Sequence, residues 1–168
     1  MDILKTSTDW AKAELLSNGF FILFGALFVV ASLGFWHMGK TEMARAFAIP
    51  TLVAGVLLLI LGCGLLYGTW KGLAWFNTAY TRDASAFVAS EIARVDRTMA
   101  QYGVAAFKVI PLLIAAAALL ILVLHGPVWR AGLITAIAFL CVLMLVDGNA
   151  NARLGVYKDR LLQASFAQ

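Results

Sequence analysis

Polar and apolar positions are segregated into blocks along this chain. Four runs nearly free of charge, 19–36, 47–70, 109–124 and 128–146, are separated by segments that hold almost all the ionisable residues. Each run is close to the roughly 20 residues that a helix needs to cross a hydrocarbon core. The pattern predicts an all-α membrane protein, a single integral domain over 1–168, with four transmembrane helices arranged as two hairpins.

The segment between the hairpins has a different rhythm. Val88, Ile92, Val95, Met99 and Tyr102 recur at spacings of 4, 3, 4 and 3, the seam of an amphipathic helix, while Glu91, Arg94 and Arg97 fall mostly off it. The same spacing continues through Ala106 and Val109. This predicts one amphipathic helix over 77–108, on the cytoplasmic side and continuous with the third transmembrane helix. Pro111 sits where the two would join; its ring clashes with the Phe107 carbonyl and it donates no backbone hydrogen bond, so a kink is expected there.

Ahead of the first run, residues 1–18 carry Asp2, Asp9 and Glu14 against Lys5 and Lys12, the wrong charge for a secretory signal. The expected structure is an interfacial helix with Ile3, Leu4, Trp10 and Leu15 toward lipid. Beyond the fourth run, Gly148 is expected to end the helix and leave 147–168 as a cytoplasmic tail.

Composition sharpens this reading. With 62% of residues hydrophobic and 13% charged, a chain of this length has too little polar surface to cover a water-soluble core, so lipid must be its main solvent. Lysines and arginines number ten in the two terminal segments and the middle connection, against three (Lys40, Arg45, Arg130) in the short loops opposite. Both termini are therefore expected in the cytoplasm, as in a multi-pass protein of a bacterial inner membrane. Trp36, Trp70, Trp75 and Trp129 fall at the ends of the runs, where indole prefers to lie. The net charge of +4 is accounted for by orientation and anionic lipid, and no basic cluster interleaved with aromatics points to nucleic acid.

Candidate chemistry is sparse. Cys63 and Cys141 lie inside apolar runs and read as small apolar side chains, and His37 and His125 open the two short loops as interfacial polar groups. No ionisable residue sits deep in a run, which argues against a proton relay or ion-coupled transport, and no phosphate-cradling glycine loop or His-Glu-x-x-His occurs. No cofactor or metal is implied. Gly64, Gly68 and Gly72 form a strip of small residues every four positions, suited to close approach of another helix within the chain or from a partner; Ala131, Gly132, Thr135 and Ala136 form a weaker one.

The stretch "DGNANAR" from Asp147 to Arg153 is similar to the Asp-Gly-x-x-Ala-Arg signature of the CDP-alcohol phosphatidyltransferases. It carries one residue too many, which turns Arg153 by about 100° on a helix. Gly155 and Asp159 stand too close to serve as the family's later Gly-x-x-x-Asp, and Gln163 replaces its last carboxylate. A structural role fits better: Lys108 and Asp147 each lie about twenty residues from the turn at Gly126–Pro127, hence at one depth, and are expected to form an ion pair.

In layout the whole chain resembles small four-helix inner-membrane proteins of bacteria, a group that includes immunity proteins against membrane-directed toxins. That resemblance rests on no diagnostic motif and carries over no functional residue; the expected function is that of a non-enzymatic protein that binds another membrane protein or a toxin, in an immunity, accessory-subunit or assembly role, through the glycine strip or through the seam from Val88 to Tyr102. A small oligomeric channel, transporter or lipid-handling protein, working as a homo-oligomer, is the alternative, and a membrane-embedded phosphatidyltransferase-like enzyme is the remote one.

Overall fold

A computed structural model describes residues 3–165, apart from the side chains of Ala74, Asn77, Ala164 and Ser165. Met1, Asp2 and 166–168, at the ends of the expected interfacial segment and tail, lie outside the described residues. Six α-helices follow one another: α1 (Ile3–Met38), α2 (Glu42–Ala46), α3 (Ala48–Arg82), α4 (Ala84–Val104), α5 (Ile110–Val123) and α6 (Pro127–Ser165), with a π turn at Ala105–Val109 joining α4 to α5. No strand occurs among the described residues. Four continuous helical stretches, α1, α2–α3, α4–α5 and α6, are long and apolar enough to cross a membrane, and the protein is a multi-pass membrane protein.

The helices are longer than the apolar runs, and this corrects three boundaries. The first membrane helix has no break near residue 18: α1 is continuous from Ile3. The fourth does not stop at Asp147 and Gly148, because α6 continues through them to Ser165. The second does not stop near Trp70. Instead α3 runs to Arg82, and the amphipathic helix begins at Ala84 rather than 77.

The break between α3 and α4 has a local cause. Asp83 is extended (φ −160°, ψ 103°) and its carboxylate accepts the Ala86 amide at 2.9 Å and the Ser85 hydroxyl at 2.8 Å, an N-cap that restarts the helix. Those two bonds hold the Asp83 carboxyl below its usual range. Phe87, one turn on, packs against Phe76 and Tyr80 at centroid distances of 5.7 and 5.8 Å, folding α4 back on the end of α3.

The overshooting ends gather into a bundle of their own. Ile3 and Ala11 of α1, Phe76 of α3, Phe87, Val88 and Val95 of α4, and Leu154, Tyr157 and Leu161 of α6 form one buried cluster. Leu4 and Trp10 pack against it, so Ile3, Leu4 and Trp10 face protein and not lipid. The reason lies in the companion seam: Val146, Ala150, Leu154, Tyr157 and Leu161 recur every three or four residues on α6 and are all buried.

In the apolar half, α1 packs most extensively on α3 and α5 on α6. The α1–α3 contact is made close by glycines other than the predicted strip. A Cβ on Gly55 would lie 2.9 Å from the Gly25 carbonyl oxygen, and one on Gly62 would lie 2.8 Å from Ile22 Cγ1 and 3.0 Å from Phe21 Cβ. Ser32 adds a buried hydrogen bond across the pair, donating to the Ala48 carbonyl at 2.6 Å. Pro111 lies in the first turn of α5, and the π turn just before it contains Phe107, whose carbonyl an unbroken α-helix would drive into the proline ring.

Gly55→Leu should force α1 and α3 apart and cost about 1–3 kcal/mol, the range for overpacking a tight contact. Gly68→Ala meets nothing within 4 Å. It should be neutral or stabilising by about 0.5–1 kcal/mol through helix propensity alone. Reversible unfolding in mixed detergent micelles reads both changes.

Candidate functional site

Gly64 lies two residues beyond Gly62, about 200° round the helix, so the strip it begins faces away from α1. A Cβ at Gly64, Gly68 or Gly72 would find no atom within 4 Å. These three line one wall of a groove of about 380 Å³, with Trp75 and Phe76 farther along α3, Trp10 on α1, and Glu91 and Arg94 on α4. Its glycine wall is backbone, its far end aromatic. Trp10 presents an indole N–H that is buried and has no acceptor among the described residues.

The polar end of the groove is held by a knot centred on Glu91, a carboxylate only 2% exposed. Arg94 donates Nε to Glu91 Oε1 at 2.9 Å and Nη2 to Oε2 at 2.7 Å, a bidentate pair within α4. The Tyr157 hydroxyl of α6 stands 3.0 Å from Glu91 Oε2 and 2.7 Å from Ser7 Oγ of α1. A carboxylate only accepts, so Tyr157 gives its one proton to Glu91 and accepts from Ser7. Trp10 is stacked between the same partners, its ring 4.9 Å from that of Tyr157 and 4.7 Å from the Arg94 guanidinium.

The electrostatics follow the geometry. Burial pushes the Tyr157 hydroxyl well above its usual range and the Glu91 charge adds to this, so it stays a donor. Burial works against the Arg94 charge, but the hydrogen bond and charge of Glu91 outweigh it and leave the guanidinium proton held more tightly than usual. Two more ion pairs tie this end together: Arg153 to Glu14 at 3.0 Å joins α6 to α1, and Lys158 to Asp96 at 2.7 Å joins α6 to α4.

The structure separates the residues singled out in the sequence into two groups. Gly64, Gly68 and Gly72 are free of intramolecular packing. The α4 seam is not: Val88 and Val95 are buried, and Ile92, Met99 and Tyr102 pack against the same core. A seam already covered by α1, α3 and α6 leaves no partner surface.

Lys108 and Asp147 are also apart. Lys108 is exposed, and Asp147 instead lines a small polar cavity with Glu14 and Tyr102. Equal depth did not make them neighbours, because depth says nothing about the face of the helix, and Lys108 falls in the π turn, where the regular 3.6-residue register is interrupted. Cys63 and Cys141 are both free and exposed on the apolar half.

Glu91, Tyr157 and Ser7 were not singled out. The signal for Tyr157 was the 3-and-4 spacing of 146, 150, 154, 157 and 161, overlooked once Gly148 was taken as a helix end. Glu91 gave none, since a Glu three residues before an Arg is also the commonest pattern of a solvated helix face. Among the described residues, no group of three or more His, Cys, Asp or Glu is placed to hold a metal ion. No family model, curated protein or solved structure matches the chain.

Tyr157→Phe removes a hydrogen bond to a buried charge and should cost about 1.5–3 kcal/mol. Glu91→Ala strips Arg94 of its bidentate partner and should cost more than Tyr157→Phe. Urea unfolding followed by Trp fluorescence measures both, with Trp10 inside the knot as the reporter.

Proposed function

We propose that this chain is a non-enzymatic protein of a bacterial inner membrane, with both termini cytoplasmic, that binds a transmembrane helix of another membrane protein in the Gly64–Gly68–Gly72 groove. The observation that carries this reading is the division of labour between two sets of glycines. Gly25, Gly55 and Gly62 bring α1 and α3 together, while Gly64, Gly68 and Gly72 have open space where side chains would be. Three glycines in a helix, with nothing packed where their side chains would be, lower its stability with no intramolecular return. A partner backbone laid along them recovers the close packing that drives helix association in lipid.

Orientation is supported by the ten-to-three excess of Lys and Arg. It places the Glu91 knot in the cytoplasm, with α1 and α3 as one hairpin, α5 and α6 as the other, and amphipathic α4 between them. Immunity to a membrane-directed toxin, an accessory-subunit role and an assembly role are all forms that such binding takes.

Affinity purification of the full chain from its native membrane in mild detergent, followed by mass spectrometry, tests the proposal. The expected result is one stoichiometric membrane-protein partner that is lost in Gly68→Leu while the unfolding midpoint does not fall. Recovery of lipid alone, of self-complexes alone, or of a partner that survives Gly68→Leu overturns it.

A further inference from the structure

Beneath the groove lies a second space, a more enclosed and more polar cavity of about 160 Å³ between α1, α3, α4 and α6. Two carboxylates reach it, Glu14 from α1 and Asp147 from α6, the latter one residue past the apolar run of α6. The charged and titratable groups around Asp147 can be matched one by one. From α4 come Arg94, already held by Glu91 through two of its three nitrogens, and Tyr102. From α6 itself comes Arg153, which donates to Glu14 at 3.0 Å.

Facing the same cavity, α3 presents Leu65 and Thr69, which are uncharged. Lys108, on the π turn beside α6, is exposed and in no ion pair among the described residues. Arg94 thus pairs with Glu91 and Arg153 with Glu14, and no ion pair among the described residues includes Asp147.

We propose that Asp147 and Glu14 form a proton-operated latch between α6 and α1. With Asp147 protonated, the Arg153–Glu14 pair balances the cavity and the helices close; with Asp147 ionised, a second negative charge without a counter-ion loosens them. Burial pushes the Asp147 carboxyl up, to about 6, and the Glu14 charge adds to the rise. A carboxyl raised in the folded state binds its proton more tightly folded than unfolded. Its contribution to stability is therefore full at acid pH and is lost as pH rises through about 6.

The cavity and the groove share Trp10, Leu65, Thr69 and Arg94 as lining. Opening the latch therefore moves a wall of the groove, and proton concentration would regulate partner binding. That consequence rests on the partner-binding reading. The latch does not, and it is tested with no partner present.

Two measurements on the purified full chain in lipid nanodiscs decide it. In the first, Asp147→Asn is compared with the unsubstituted protein by chemical unfolding at pH 5 and pH 7.5. The substituted chain should be the more stable at pH 7.5, with a smaller gap at pH 5; no gap at pH 7.5, the opposite sign or the same gap at both pH values overturns the latch. In the second, which does not depend on Asp147→Asn folding, the carboxyl of isotope-labelled Asp is titrated by infrared spectroscopy. One Asp should titrate near pH 6, and Glu14→Gln should move its midpoint toward the ordinary carboxylate range. Titration of every Asp near pH 4, or a midpoint indifferent to Glu14→Gln, overturns it.

Discussion

A carboxylate withdrawn from water must have its charge met by the protein, and the rest of this structure is arranged around meeting that demand for Glu91. The residue is 2% exposed and accepts from Arg94 and Tyr157, and Tyr157 in turn accepts from Ser7. Those contacts tie α4 to α6 and α6 to α1 in one place. Loss of any member leaves a buried polar group unmatched, which is far more costly than loss of an apolar contact of similar size. The knot therefore specifies how three helices meet, while Phe87, Val95, Leu154 and Leu161 belong to the buried apolar cluster around it.

The membrane half obeys another rule. In lipid there is little hydrophobic gain from burying one apolar side chain against another, so close packing and a few hydrogen bonds must hold helices together. The Gly25–Gly55 crossing, the Gly62 contact with Phe21 and Ile22, and the Ser32 bond to Ala48 supply both. A chain that packs α1 on α3 this way has the same means available for a second contact, and Gly64, Gly68 and Gly72 lie on another side of α3.

Membrane character was legible at once, because four apolar blocks of spanning length leave no soluble alternative. Helix ends were less legible. Asp147–Gly148 reads as a terminus by composition, yet both residues sit inside α6, where the buried seam from Val146 to Leu161 overrides the local signal. Trp10 reads as an interfacial anchor, yet it is stacked between Tyr157 and Arg94, partners far away in sequence. The glycine strip was visible as a strip, but its role was not. Nothing local distinguishes Gly62, which is packed, from Gly64, which is open; the difference is half a turn of rotation toward a helix whose own azimuth the sequence leaves unspecified.

One consequence of helix length concerns mechanics. With 39 residues, α6 is about 58 Å long at 1.5 Å per residue, nearly twice a hydrocarbon core of about 30 Å. Its C-terminal half carries Arg153, Tyr157 and Lys158, which grip α1 and α4. A rod of this kind has no swivel at the membrane surface. Torque applied by lipid or by a neighbour to the N-terminal half, where Val128 and Trp129 are exposed, is delivered to those three grips as rotation of a single shaft.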